Sequence, residues 1–474
     1  MVAIACLYLY GLGGVGALGP DEPRYLAIGR AMLQSGDFIT PRLWGSPWFE
    51  KPPLLYWMIG IGTAAGLGPE ECGRLPVALL SLIFLVIFFL LLRREFGTEA
   101  AAVSSVLLAT SAGWIAFSEL ALTDLPLAVF YSLAVALALP LVRSLPDGRI
   151  HVGRFMVIGI SLGIATLAKG LVPIALALPF FWFLRHWWRS WWLACLAGLA
   201  SAMPWYTAIY LRDGRTFLEE FFWKHHFERL YSKSLLHVQP WWYYLPVVLA
   251  ALFPWTPLFA LLARQRAWDE RRKFLASCFF LGLILFSISL NKLPGYILPL
   301  LPAAFALLGA SIGTGGPGRS FRWWLLPSAI LIGLLPLLAR LLPVALEIGR
   351  LFIPHKLHIG LTEFFYMAAP VAAVFLARRS WAGILLVLCL VGGGFFVKIV
   401  SYPILDRLVS ARGTWRKLQN VHGTICDDWL ARDWEYGLAL YRGEPYPICG
   451  RGRFDFALQS HARDTPILVR KEEQ

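Results

Sequence analysis

Long apolar runs follow one another along the chain, separated by short polar stretches. They cover 2–19, 73–92, 98–117, 124–142, 152–168, 170–185, 191–210, 240–262, 274–290, 296–312, 323–345, 363–377 and 381–400. Most approach the ~20 residues a helix needs to cross a bilayer. None alternates at period two, as the strands of a membrane barrel do. The pattern predicts an all-α polytopic membrane protein with about 13 transmembrane helices. The first run has no basic leader and leads straight into charged residues, so it is expected to be span one rather than a cleaved signal.

Clusters of Arg and Lys at 91–97, 141–144, 185–190, 263–273, 318–322 and 377–380 fall on one side of the alternating spans. The positive-inside rule makes that side cytoplasmic. The other side receives 20–72, 118–123, 211–239, 291–295, 346–362 and everything from 401. Residues 1–400 are therefore expected to form a transmembrane domain. Its first outward loop, 20–72, carries amphipathic helices lying on the membrane, and 211–239 is a second outward loop. The polar tail, 401–474, is expected to be a small extracytoplasmic α/β domain.

Composition adds little beyond this. Hydrophobic residues make up 58% and charged residues 15%, against about 25% charged in ordinary soluble domains. The net charge of +14 is accounted for by the cytoplasmic ends of spans, so nucleic acid is not an expected partner. Seven cysteines show no metal-ligand spacing, but Cys426 and Cys449 can pair if the tail lies outside the cytoplasm.

The candidate chemistry sits in the outward segments. Asp21, Arg24 and Tyr25 share a helical face in "DEPRY", although Asp21 equally suits a helix cap. "WFEKPP" places Glu50 and Lys51 among aromatics, where Lys51 can meet a phosphate or anchor the loop at the interface. Asp124 stands at the mouth of a span, five residues after Glu119, where an ionisable group suggests function. Lys169 occupies a tight outward turn. "FFWKHHFERL" offers His226 and Arg229, and "NKLPGY" offers Lys292 and Tyr296. All fall on one face of the membrane. That argues against a proton-coupled transporter, whose ionisable groups lie near the midplane.

These motifs, with "TDLP", "AKG" and "HVQPWWYYLP", resemble the integral-membrane glycosyltransferases of the GT-C fold. The likeness is greatest to the bacterial 4-amino-4-deoxy-L-arabinose transferases of lipid A, relatives of the protein O-mannosyltransferases. It covers residues 1–310 and fades beyond. The resemblance implies inverting transfer of a sugar from a polyprenyl phosphate, such as undecaprenyl phosphate, at the periplasmic face of the bacterial inner membrane. The acceptor would be lipid A or another outer-leaflet glycolipid, with protein Ser/Thr or a polysaccharide as alternatives. A flippase of the lipid-linked sugar is the alternative from a different class.

Residue by residue, the resemblance makes Asp21 and Asp124 the catalytic carboxylates. It places Arg24, Tyr25, Lys51 and Tyr296 on the substrate, and the residue types alone add Lys169, Arg229 and Lys292 as cations that can meet its phosphate. Glu50 and His226 would hold a divalent metal (Zn, Mg or Mn). Membrane lipids are the remaining partners. Trp48 stands where the family often has Tyr.

Overall fold

The computed structural model describes residues 1–143, 151–228, 238–265, 268–315, 321–348, 360–377, 379–460 and 465–470. Among them, seven helices are long and apolar enough to cross a membrane, or eight if the bent pair Trp241–Ala251 and Thr256–Arg264 forms one span. The thirteen runs are thus not thirteen uninterrupted helices, and glycine and proline explain where they differ. The first run is helical only over α1 (Val2–Leu9), after which Gly11 turns the chain at φ 72°. The long helix α4 (Glu71–Ala109) joins the run 73–92 to the first part of 98–117 and breaks at Gly97, φ 85°. The run 170–185 is two short helices, α8 (Val172–Leu176) and α9 (Leu178–Phe183). Each has a proline as its second residue, Pro173 and Pro179, which suits a first turn and cannot continue the helix before it.

Between α1 and α4 the chain folds across one end of the bundle. Helix α2 (Asp21–Ser35) ends where Gly36 takes the left-handed conformation, φ 68°. A hairpin of β1 (Arg42–Leu43) and β2 (Ser46–Pro47) follows, with Trp44 and Gly45 both at positive φ in its two-residue turn. Helix α3 (Leu54–Ala64) then packs back on α2. Both helices fall within the loop 20–72. After α4 come α5 (Ala112–Ser118), α6 (Asp124–Arg143), α7 (Val152–Lys169) and α10 (Trp191–Leu218). A continuous apolar core joins them, with Tyr8, Leu26, Tyr56, Leu85 and Trp114 fully buried.

The tail forms a helix, Ala411–Leu418, and a three-stranded sheet of β3 (Ile425–Trp429), β4 (Phe456–Gln459) and β5 (Ile467–Arg470). β3 and β4 run parallel, and β5 is antiparallel to β4. The parallel pair needs a crossover, and the helix Arg432–Arg442 lies within it. Cys426 and Cys449 are disulfide-bonded. The tail is seated on the segment that leads into α2. Arg412 donates to the carbonyls of Gly13 (2.7 Å) and Gly14 (3.0 Å), and the Tyr441 hydroxyl donates to Glu70 (2.6 Å).

Candidate functional site

The polar residues of "DEPRY" divide between two sides of α2. Pro20, not Asp21, occupies the cap position, and no side-chain cap bond forms there. Asp21 instead pairs with Arg24 one turn on. The Arg24 guanidinium also donates to Glu50 Oε2 (2.9 Å) and the Pro20 carbonyl (2.9 Å). Lys51 Nζ donates to Glu50 Oε1 at 3.0 Å. The result is a chain of alternating charge, Asp21–Arg24–Glu50–Lys51, running from α2 to the start of α3. Burial opposes the charge on Arg24, but Glu50, Tyr25 and Asp21 outweigh it and raise its pKa. Burial lifts the Tyr25 phenol well above its usual pKa, and Asp21 and Glu50 lift it further, so it stays protonated.

A second pair faces this chain. Asp124, the first residue of α6, meets Lys169, the last residue of α7, at 2.5 Å. The Lys169 ammonium also lies over the Tyr296 ring, 4.3 Å from its centroid. Gly295 passes so close that a Cβ there would come within 2.7 Å of the Asp124 carboxyl carbon. Only glycine lets the chain approach the carboxylate this tightly.

Two cavities meet at these groups. The smaller, about 140 Å³, is lined by Asp21, Tyr25, Thr123 and Asp124. The larger, about 280 Å³, continues between Leu127, Val172, Leu176, Leu285 and Phe286. Glu50, Lys51, Lys169 and Tyr296 line both. A polar chamber therefore opens through two lysines and a tyrosine into an apolar trough. A third, wider groove of about 690 Å³ between α7, α8 and α10 is lined by no Asp, Glu, Lys or Arg among the described residues.

The structure brings together Asp21, Tyr25, Glu50, Lys51, Asp124, Lys169 and Tyr296, with Arg24 directly behind Asp21 and Glu50. Lys292 does not join them. Its ammonium donates to the carbonyls of Gln239 (3.1 Å) and Ser289, pinning the loop on which it sits, and it lines neither cavity. Arg229 lies outside the described residues, as does the side chain of His226. Among the described residues no cluster of three or more metal-ligating side chains forms. Both Glu50 oxygens accept from cations, one from Arg24 and one from Lys51.

Two features escape sequence reasoning. One is a buried clamp behind the chamber, in which Glu22 accepts from Arg74 at 2.8 and 2.7 Å and from the backbone N–H groups of Leu18 and Ala121. Its signal lay in the helical spacing of Glu22 with Leu26 and Gly29, which form a buried face. Glu119 belongs to a similar set, paired with Lys398 (2.8 Å) and the Tyr402 hydroxyl (2.7 Å), away from Asp124. The other is a pair of rings against Arg24. Trp48 lies 5.4 Å and Tyr436, from the tail, 5.1 Å from the guanidinium carbon.

Membrane-length helices with one charged chamber opening into an apolar trough define a polytopic membrane protein able to hold a polar headgroup and a hydrocarbon tail side by side. Residues 1–253 match the family described as dolichyl-phosphate-mannose-protein mannosyltransferase, and the chain belongs to that family. It is 33% identical over 340 residues to the undecaprenyl phosphate-α-4-amino-4-deoxy-L-arabinose arabinosyl transferase of Pseudomonas aeruginosa (strain UCBPP-PA14), which covers 67% of this chain and 61% of that protein. It is 29% identical over 436 residues to a second such transferase from Pseudomonas fluorescens (strain Pf0-1), covering 85% of this chain and 76% of that one. Among solved structures it is similar to ArnT from Cupriavidus metallidurans bound to undecaprenyl phosphate. The TM-score is 0.77 at 25% identity, over 95% of this chain and 85% of that one. The apo form of the same protein gives 0.73.

Proposed function

We propose that this chain is an inverting glycosyltransferase that moves a sugar of the 4-amino-4-deoxy-L-arabinose class from undecaprenyl phosphate to a lipid A-type acceptor. The reaction takes place at the periplasmic face of a bacterial inner membrane. The observation that carries this reading is the junction of the two cavities. Lys51, Lys169 and Tyr296 stand where a phosphate would lie if the prenyl chain occupied the apolar trough and the sugar the chamber. The donor assignment also draws on the names of the relatives and on the lipid bound to the Cupriavidus protein. The disulfide in the tail supports an oxidising side of the membrane.

In the reaction the acceptor oxygen attacks the anomeric carbon from the face opposite the phosphate. The bond from that carbon to the phosphate oxygen breaks, and its electron pair leaves with the phosphate. Lys51 and Lys169 stabilise the developing charge, and fixed cations of this kind often supply the largest share of catalysis. Tyr25, held protonated, donates a hydrogen bond within the chamber. A lipid A phosphate acceptor arrives anionic, so Asp21 and Asp124 orient the sugar and stabilise positive charge at its ring. A hydroxyl acceptor would instead lose its proton to Asp21. No step is routed through a metal.

The test is the purified full-length chain with undecaprenyl-phosphate-aminoarabinose and Kdo₂-lipid A, read by mass spectrometry. Addition of the sugar to lipid A is expected. Transfer only to peptide or polysaccharide moves the acceptor assignment to those classes. Absence of any new glycosidic bond, with donor translocated across vesicles, overturns the enzyme reading in favour of a flippase.

A further inference from the structure

Among the described residues, Tyr436 brings the tail against the wall behind the chamber. Tyr436 projects from the helix Arg432–Arg442 and places its ring 5.1 Å from the guanidinium carbon of Arg24 and 5.6 Å from the ring of Trp44 at the hairpin tip. Arg24 is the hub of the chamber's inner wall. It holds Asp21 and Glu50 together and is 4% exposed, and Trp48 gives it a second ring. A guanidinium serving two carboxylates must keep its plane fixed for both bonds to persist, and ring faces stacked on it restrict that plane.

We propose that Tyr436 is a positioning residue for the transfer reaction. Supplied by the tail, it holds Arg24 so that Asp21 stays aimed into the chamber and Glu50 stays beside Lys51. The tail is thereby part of the catalytic centre rather than an appendage to it. This inference rests on the transferase reading above. It also accounts for where the tail is fastened. Arg412 fixes it to the carbonyls of Gly13 and Gly14, on the segment that enters α2, and Tyr441 fixes it to Glu70 at the start of α4. Those bonds do not involve Tyr436, so its replacement leaves the tail docked.

The experiment compares the wild-type full-length chain with Tyr436→Leu and Tyr436→Phe in the same transfer assay, with melting temperatures measured alongside. Tyr436→Leu is expected to lower kcat by about three- to thirty-fold, the span of a cation–π contact. The donor KM should stay close to wild type, because Lys51, Lys169 and Tyr296 are untouched. Tyr436→Phe keeps the ring and is expected to recover most of the lost rate. A purely structural role would move both variants together, and would move the melting temperature with them. Wild-type kcat in Tyr436→Leu overturns the proposal, as does equal impairment of the two variants. If Tyr436→Leu does not fold, Tyr436→Met takes its place under the same criteria. Failure of the wild-type chain to transfer the sugar strikes the transferase reading instead, so the two failures are distinct.

Discussion

Asp21 and Glu22 stand side by side in the sequence and turn to different parts of the molecule. Asp21 lines the chamber with its side chain 35% exposed, paired with Arg24. Glu22 is 1% exposed and accepts four hydrogen bonds, two of them from Arg74. The rotation of about 100° per residue along a helix separates them. The same division recurs between Asp124, which faces the chamber, and Glu119, which faces Lys398 and Tyr402 behind it. A layer of partly open charge thus rests on a layer of closed, fully paired charge. The open layer is available for chemistry, and the closed layer keeps the first loop fixed to the bundle.

The strongest test of this division is Asp21→Asn set against Glu22→Gln. Asp21→Asn is expected to lower kcat by about 10²–10⁴-fold, the range typical of a positioned acid or base, with an unchanged melting temperature. Asp124→Asn should behave alike. Glu22→Gln should do the reverse. It leaves Arg74 buried without its counter-charge and costs about 3–5 kcal/mol of stability, seen as early aggregation on heating, while the protein that stays folded keeps its donor KM. If Asp21→Asn melts early and turns over normally, the two layers have been assigned the wrong way round.

Much of the open layer is legible in the sequence because charge in an apolar setting is costly and rarely idle. Asp21, Lys51, Asp124 and Lys169 stand out on that ground, and the structure brings them to one place together with Tyr296. Lys292 stands out equally and does not join them. Depth in the membrane says nothing about which way a side chain points, and Pro294 and Gly295 turn its loop so that the ammonium meets carbonyls. The closed layer is harder to read. Arg74 lies 52 positions from Glu22, and Lys398 lies 279 from Glu119, so no local pattern announces either pair. Tyr436 is an aromatic in a tail without motifs, and only the docking of that tail reveals its use. The helices divide in the same manner. Hydropathy finds the runs, but Gly11, Gly97, Pro173 and Pro179 decide where they stop being continuous helix.

Lys292 sharpens the comparison because it resembles the open layer in sequence and the closed layer in structure. Lys292→Met is expected to leave the donor KM unchanged and to cost about 1–3 kcal/mol of stability, the value of charged hydrogen bonds lost from a buried loop. Lys51→Met, by contrast, should lower kcat by about 10²–10³-fold, as expected for a donor facing developing charge. A raised donor KM in Lys292→Met would return that residue to the substrate.

The smallest effect belongs to Asp37, a carboxylate of the first loop that lines neither cavity. It accepts from Arg212 Nη1 (2.6 Å) and from the backbone N–H groups of Ile39 (3.1 Å) and Thr40 (3.2 Å), tying the end of α2 to α10. Burial pushes its pKa up, but the N–H groups of Thr40 and Ile39, with Arg212, more than offset this, so it lies below the ordinary 3.8. A carboxylate with a depressed folded pKa binds fewer protons when folded than when unfolded. Its contribution is therefore complete above the unfolded value and disappears as the pH falls through the folded one. Arg212 is half exposed, which screens the pair and holds the effect of Asp37→Asn at pH 7 below about 1 kcal/mol. Melting curves of wild type and Asp37→Asn should differ slightly at pH 7 and converge as the pH drops below 3.8. Transfer rates at pH 7 should coincide. A rate that falls with Asp37 as steeply as with Asp21 would mean that the loop's anchor and its chamber act as one unit.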